Sequence, residues 1–199
     1  MVRKSLVKPS LRVSPGAYIW LALMLLILPL QWLFAAIFAA AVHELGHYAA
    51  IRLTGGCVSR VQLRRNGAIM EMIPANAAQE AACALAGPIC GGMLILFYRC
   101  FPRIAVCAFV QTAFNLLPVY PLDGGRAINA ILRCFLTERS ASALCRGIAV
   151  VSIAVLCVLC AYAAFTLRLG MNAFIPLLMI ILKTKNRKMP CKQALQQVQ

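Results

Sequence analysis

The stretch Ala41-Val42-His43-Glu44-Leu45-Gly46-His47-Tyr48 carries two histidines four positions apart, with a glutamate directly after the first. On a helix that spacing turns both imidazoles to one face, where they reach the same ion. It also sets the carboxylate of Glu44 to take a proton from a water that the ion activates. This is the pattern of a zincin. A pair of core histidines beside a buried acid is the plainer alternative. Against it, His43 and His47 are the only histidines in the chain, and a charged glutamate in so apolar a stretch is costly unless it is paired, faces a cavity or does chemistry.

Zinc in a hydrolase takes three protein ligands and leaves a fourth position open, so the two histidines need a partner. The chain has five acids, Glu44, Glu71, Glu80, Asp123 and Glu138. Asp123 is the sole aspartate and ends an apolar run, Asn115-Leu116-Leu117-Pro118-Val119-Tyr120-Pro121-Leu122-Asp123, followed by Gly124-Gly125. Pro118 and Pro121 cannot continue a regular helix and the glycines permit a tight path, so bent or unwound backbone is expected here. Such backbone is tolerated at membrane depth where it lines an enclosed or watery cavity. Asp123 alone reads equally as a cap or turn residue; beside an incomplete two-histidine site, ligation is the preferred reading. Asn115, about two helical turns earlier, offers a donor and an acceptor. It suits either the backbone of a substrate or a helix–helix hydrogen bond.

The elements that hold these groups are apolar. Of the 199 residues 62% are hydrophobic and 13% charged, more apolar surface than one small water-soluble core can hide. Apolar runs and their interruptions predict an all-α polytopic membrane protein with about six spanning helices, near 17–31, 33–52, 80–98, 104–122, 146–166 and 169–183. Residues 57–73 are different: two short, partly alternating runs flank Asn66-Gly67, which reads as a β-hairpin at the membrane edge, with an ordinary basic interfacial loop as the alternative. Neither a repeat nor a linker divides the chain, so residues 1–199 read as one membrane domain with its core motifs in 33–130.

The formal charge of +15 would suit nucleic acid on a soluble face, but here the basic residues lie between and beyond the apolar runs. Arg3 to Arg12, Arg52 to Arg65, Arg126 to Arg146 and Lys183 to Lys192 fall on one side of the six-span arrangement, leaving Arg99, Arg103 and Arg168 on the other. That asymmetry predicts cytoplasmic termini and no nucleic-acid partner. It also brings His43 and Asp123 to the membrane from the same side, as a shared metal site demands. The cysteines lie mostly inside apolar runs and read as packing residues; this includes the Cys157/Cys160 pair, which has no second pair at finger spacing.

His43-Glu44-Leu45-Gly46-His47 followed by Asn115 to Gly124 resembles the paired motifs of the site-2 protease family of intramembrane metalloproteases, and Ala86-Gly87-Pro88 matches a further family feature. The resemblance implies one Zn2+ per chain held by His43, His47 and Asp123, with Glu44 as catalytic base. It implies membrane-anchored protein substrates cut within or beside their spans to release a regulatory factor, with regulatory membrane proteins as further partners. The outline is similar to the small bacterial branch that includes a sporulation protease, which points to the bacterial cell membrane. Neither a CBS nor a PDZ domain is expected, and Ile89-Cys90-Gly91-Gly92 stands where relatives often have asparagine soon after the Gly-Pro. Two alternatives stay open. One is a transporter or assembly factor with a structural metal, for which Glu44 would be superfluous; the other is a membrane zincin with a glutamate, such as Glu138, as third ligand.

Overall fold

A computed structural model describes residues 10–13, 28–56, 58–64, 67–72 and 76–166, together with 18, 22, 24–26, 177, 178 and 180. Its elements are β1 (Ser10–Val13), α1 (Leu30–Leu53), β2 (Val58–Arg64), β3 (Gly67–Met72), α2 (Ala77–Met93), a 3-10 turn (Leu94–Phe97), α3 (Pro102–Asn115), α4 (Asp123–Phe135) and α5 (Glu138–Thr166).

Helix α1 starts after Pro29 and runs for 24 residues, about 36 Å at the usual helical rise. It ends where Thr54 turns its hydroxyl back to donate to the Ala50 carbonyl at 2.8 Å and Gly55 takes the left-handed conformation, φ 74°. One face is buried through Leu33, Ala35, Ala39, His43, Gly46, His47 and Ile51. Leu30, Phe34, Ile37, Phe38 and Leu45 are exposed, as side chains facing lipid are. The buried face lies against α2 and α3.

Gly46 sets how closely α1 meets α2. A Cβ there would lie 2.7 Å from the Ala86 carbonyl oxygen and 2.8 Å from the Cys90 Cβ, so any side chain would push the helices apart. Helix α2 is capped by Asn76, whose side chain accepts from the Gln79 N–H at 2.7 Å, and holds Pro88 within its length. It also packs on α4, and α4 in turn contacts α5. A partly buried ion pair between Glu80 of α2 and Arg133 of α4 ties the first of these contacts.

The expectation of an all-α chain with about six spanning helices is corrected on two counts. Among the described residues three helices are long and apolar enough to cross a membrane: Leu30–Leu53, Ala77–Phe97 and Glu138–Thr166. They make the chain a multi-pass membrane protein. The run 104–122 is not one span, because α3 has 14 residues and stops at Asn115, and the cis Tyr120-Pro121 bond lies in the non-helical segment that follows. Most of 17–31 and 169–183 lies outside the described residues. The second count is the sheet. β2 and β3 pair antiparallel from Val58↔Met72 to Arg64↔Gly67, and β1 pairs parallel with β2, Ser10 opposite Arg60. The chain is therefore three-stranded in this region, neither all-α nor a lone hairpin.

Candidate metal centre

Three electron-rich atoms from two distant parts of the chain meet in the interior. His43 Nε2 lies 3.0 Å from Asp123 Oδ2, His47 Nε2 lies 3.2 Å from the same oxygen, and the two Nε2 atoms are 3.2 Å apart. All three residues are buried, at 2%, 8% and 9% exposure. Among the described residues this is the one group of histidine, cysteine, aspartate or glutamate side chains arranged to hold a metal ion.

Helix α1 supplies the histidines. One turn of helix separates them, so they stack along its buried face, their rings edge to face with centroids 4.9 Å apart. Helix α2 shapes the opposite wall. Gly87 faces His47 so closely that a Cβ would come within 2.2 Å of Nε2, and Gly91, one turn on, stands 3.4 Å at its Cβ position from His43 Nδ1. One turn before Gly87, the Cys83 carbonyl meets His47 Nδ1 at 2.7 Å. A carbonyl only accepts, so Nδ1 carries the proton and Nε2 presents its lone pair to the cluster.

Asp123 arrives from the broken segment. It opens α4, where unpaired N–H groups and the helix dipole favour a carboxylate, and Arg126 Nη1 stands 3.9 Å from its other oxygen. The chain can double back here because of the two glycines. A Cβ on Gly124 would lie 2.1 Å from the Leu116 carbonyl oxygen, and one on Gly125 would lie 2.5 Å from the Tyr120 nitrogen. Val119 and Leu122 anchor the segment in an apolar cluster with Ile180, against Ala149, Ile153 and Leu156.

A lone pair on each imidazole and a carboxylate oxygen facing one another repel unless a cation or a proton lies between them. A tetrahedral ion with bonds of about 2.0–2.1 Å holds its donors about 3.3 Å apart. The observed separations of 3.0 to 3.2 Å match that edge length, so the donor set fits zinc in both chemistry and size.

Other expected residues gather near the cluster. Asn115, the last residue of α3, brings Nδ2 to 3.5 Å from His43 Nε2. Glu44 is half-buried beside His43, close enough for its charge to act on the His47 ring. Glu138 is exposed at the start of α5 and takes no part in the group, which removes it as the third donor. Reading the sequence missed the Cys83 carbonyl, Gly91 and Thr112. The spacing of Cys83, Gly87 and Gly91, one turn apart each, was the available signal, because it matches the spacing of the histidines it faces.

Similarity to known proteins follows the same lines. No family model matches the chain. The zinc metalloprotease MJ0392 of Methanocaldococcus jannaschii is 30% identical over 117 residues, a match that takes in 50% of this chain and 34% of that protein. The match thus spans about a third of that relative's length. A solved structure, the site-2 protease from Methanocaldococcus jannaschii, superposes with a TM-score of 0.63 at 16% identity over 90% of this chain and 91% of that one. The chain is thus similar in fold to a solved site-2 protease and over half its length in sequence to a zinc metalloprotease, and it brings His43, His47 and Asp123 together in an arrangement that could hold a metal ion.

Proposed function

We propose that this protein is an intramembrane zinc metalloendopeptidase that hydrolyses peptide bonds within or beside the transmembrane segments of membrane-anchored proteins. The observation that carries the reading is the convergence of His43, His47 and Asp123 donor atoms within 4.8 Å of one another in the interior of a multi-pass membrane protein, with Glu44 next to His43 on the same helix. His43, His47 and Asp123 hold one zinc ion per chain. When bound, zinc polarises the scissile carbonyl and acidifies water enough for deprotonation near neutral pH.

Glu44 takes the proton from the attacking water and delivers it to the leaving amine, so no covalent intermediate forms. Asn115, whose amide reaches toward His43, holds the substrate backbone in register with that attack. Burial of the cluster keeps bulk water away from unproductive contacts, while the substrate helix has to unwind to expose its peptide group. The chain acts in a cell membrane, and cleavage there releases a regulatory factor.

The test is cleavage of a membrane-tethered reporter library by purified protein in liposomes. Cleavage that a zinc chelator stops and added Zn2+ restores supports the reading. Cleavage indifferent to chelation would contradict a zinc-dependent reaction, whereas a protein that binds zinc and cuts nothing in the library favours a structural metal in a transporter or assembly factor.

A further inference from the structure

Two buried polar atoms beside the cluster have no hydrogen-bond partner: His43 Nδ1 and Thr112 Oγ1. They belong to different helices, α1 and α3, yet they face one point. The Cβ position of Gly91 on α2 lies 2.9 Å from Thr112 Oγ1 and 3.4 Å from His43 Nδ1. Gly91 is thus a notch into which both atoms look, and any side chain there would fill it.

Thr112 also forgoes the bond a helical hydroxyl usually makes. Ser152 donates to the carbonyl four residues back at 2.8 Å, and Thr54 does the same at the end of α1. Thr112 is 9% exposed and turns its oxygen toward Gly91, with its methyl 4.0 Å from the Cβ position of Gly92. A hydroxyl buried without a partner gives up the hydrogen bonds it would make to water, so its orientation calls for a ligand.

We propose that Thr112 is a positioning residue for His43, its hydroxyl accepting the Nδ1 proton's hydrogen bond across one bridging water beside Gly91. The logic repeats that of His47. A histidine that gives Nε2 to a metal carries its proton on Nδ1, and that proton needs an acceptor to fix the ring. For His47 the acceptor is the Cys83 carbonyl; for His43 it is Thr112. The inference rests on the zinc reading above and adds a residue that touches neither metal nor substrate.

The experiment compares wild type, Thr112→Val and Thr112→Ser for Co2+ and Zn2+ affinity in detergent. Valine keeps the shape and removes the acceptor, so affinity falls about 10-fold or more and the Co2+ absorption bands shift. Serine restores both to near wild type. A second readout needs no variant: with two histidines in the chain, 15N-histidine spectra of the metal-loaded protein show two exchange-protected Nδ1–H protons. One protected proton in wild type, or Thr112→Val affinity equal to wild type, overturns the assignment of Thr112 alone. A wild type that takes up neither ion overturns the metal reading and this inference with it.

Discussion

His47 is fixed by the backbone of another helix: its Nδ1–H donates to the Cys83 carbonyl of α2 at 2.7 Å. The bond selects the tautomer whose Nε2 faces Asp123 and makes the approach of α1 to α2 part of the site. Helix packing and metal geometry are therefore coupled. Gly87→Ala tests this directly, since its Cβ would come within 2.2 Å of His47 Nε2. The ring must rotate or the helices separate, and bound zinc in the purified variant is expected to drop to a small fraction of the wild-type content. Full zinc occupancy in Gly87→Ala would show that the two helices are free to adjust.

The third donor is tested by comparing Asp123→Asn, Asp123→Ala and Glu138→Ala. Asparagine keeps the shape of the side chain and removes the anion, and both Asp123 variants are expected to lose zinc on dialysis under conditions where wild type retains it. Glu138 lies exposed outside the cluster, so its alanine variant keeps wild-type zinc content. Metal analysis of the three proteins decides between an aspartate and a glutamate centre.

Gly124 has backbone, not a flexible side chain, in the place a Cβ would occupy, 2.1 Å from the Leu116 oxygen. Neither partner can yield locally. Gly124→Ala is expected to cost about 1–3 kcal/mol of stability and most of the cleavage activity, because the 116–122 segment carries Asp123 into position. Gly147, in α5 with nothing within 4 Å of its Cβ position, is the control. Its alanine variant should be neutral or gain up to about 1 kcal/mol from helix propensity. Thermal unfolding in detergent measures both.

The Glu80–Arg133 pair joins α2 to α4 and lies outside the group formed by His43, His47 and Asp123. Removing one member leaves a partly buried charge unpaired, so Glu80→Gln and Arg133→Met should each lower stability by about 1–3 kcal/mol. The double variant should recover part of that loss. Zinc content is expected to stay at the wild-type level throughout, a readout that separates a brace from a ligand.

Much of the site was legible in the chain because its chemistry rests on residue types that occur once or twice. Two histidines at helical spacing and a single aspartate leave few alternatives, and Pro118, Pro121 and the two glycines announce the break that delivers Asp123. What escaped was carried by backbone and by absent side chains. The Cys83 carbonyl leaves no trace in a residue name, and Gly91 acts through the room it leaves between His43 and Thr112. Span counting failed where hydropathy hid a change of conformation: Ile104 to Leu122 is largely apolar and carries no charge, yet the helix ends at Asn115. Helix α4 was missed because its buried side is small, Ala127 and Ala130 after Gly124 and Gly125, and its charged residues read as loop. The pairing of β1 with β2 joins Ser10 to Arg60 across the whole of α1, a contact that local pattern cannot reveal.

The most direct test of the account is Glu44→Gln, measured for zinc content and for cleavage of the membrane-tethered reporter. Glutamine keeps the size and helix preference of the residue and removes its ability to take a proton. Wild-type zinc with cleavage reduced by about 100-fold or more is the result expected of a metalloprotease whose base is Glu44. Cleavage left at the wild-type rate, with zinc still bound, would contradict it.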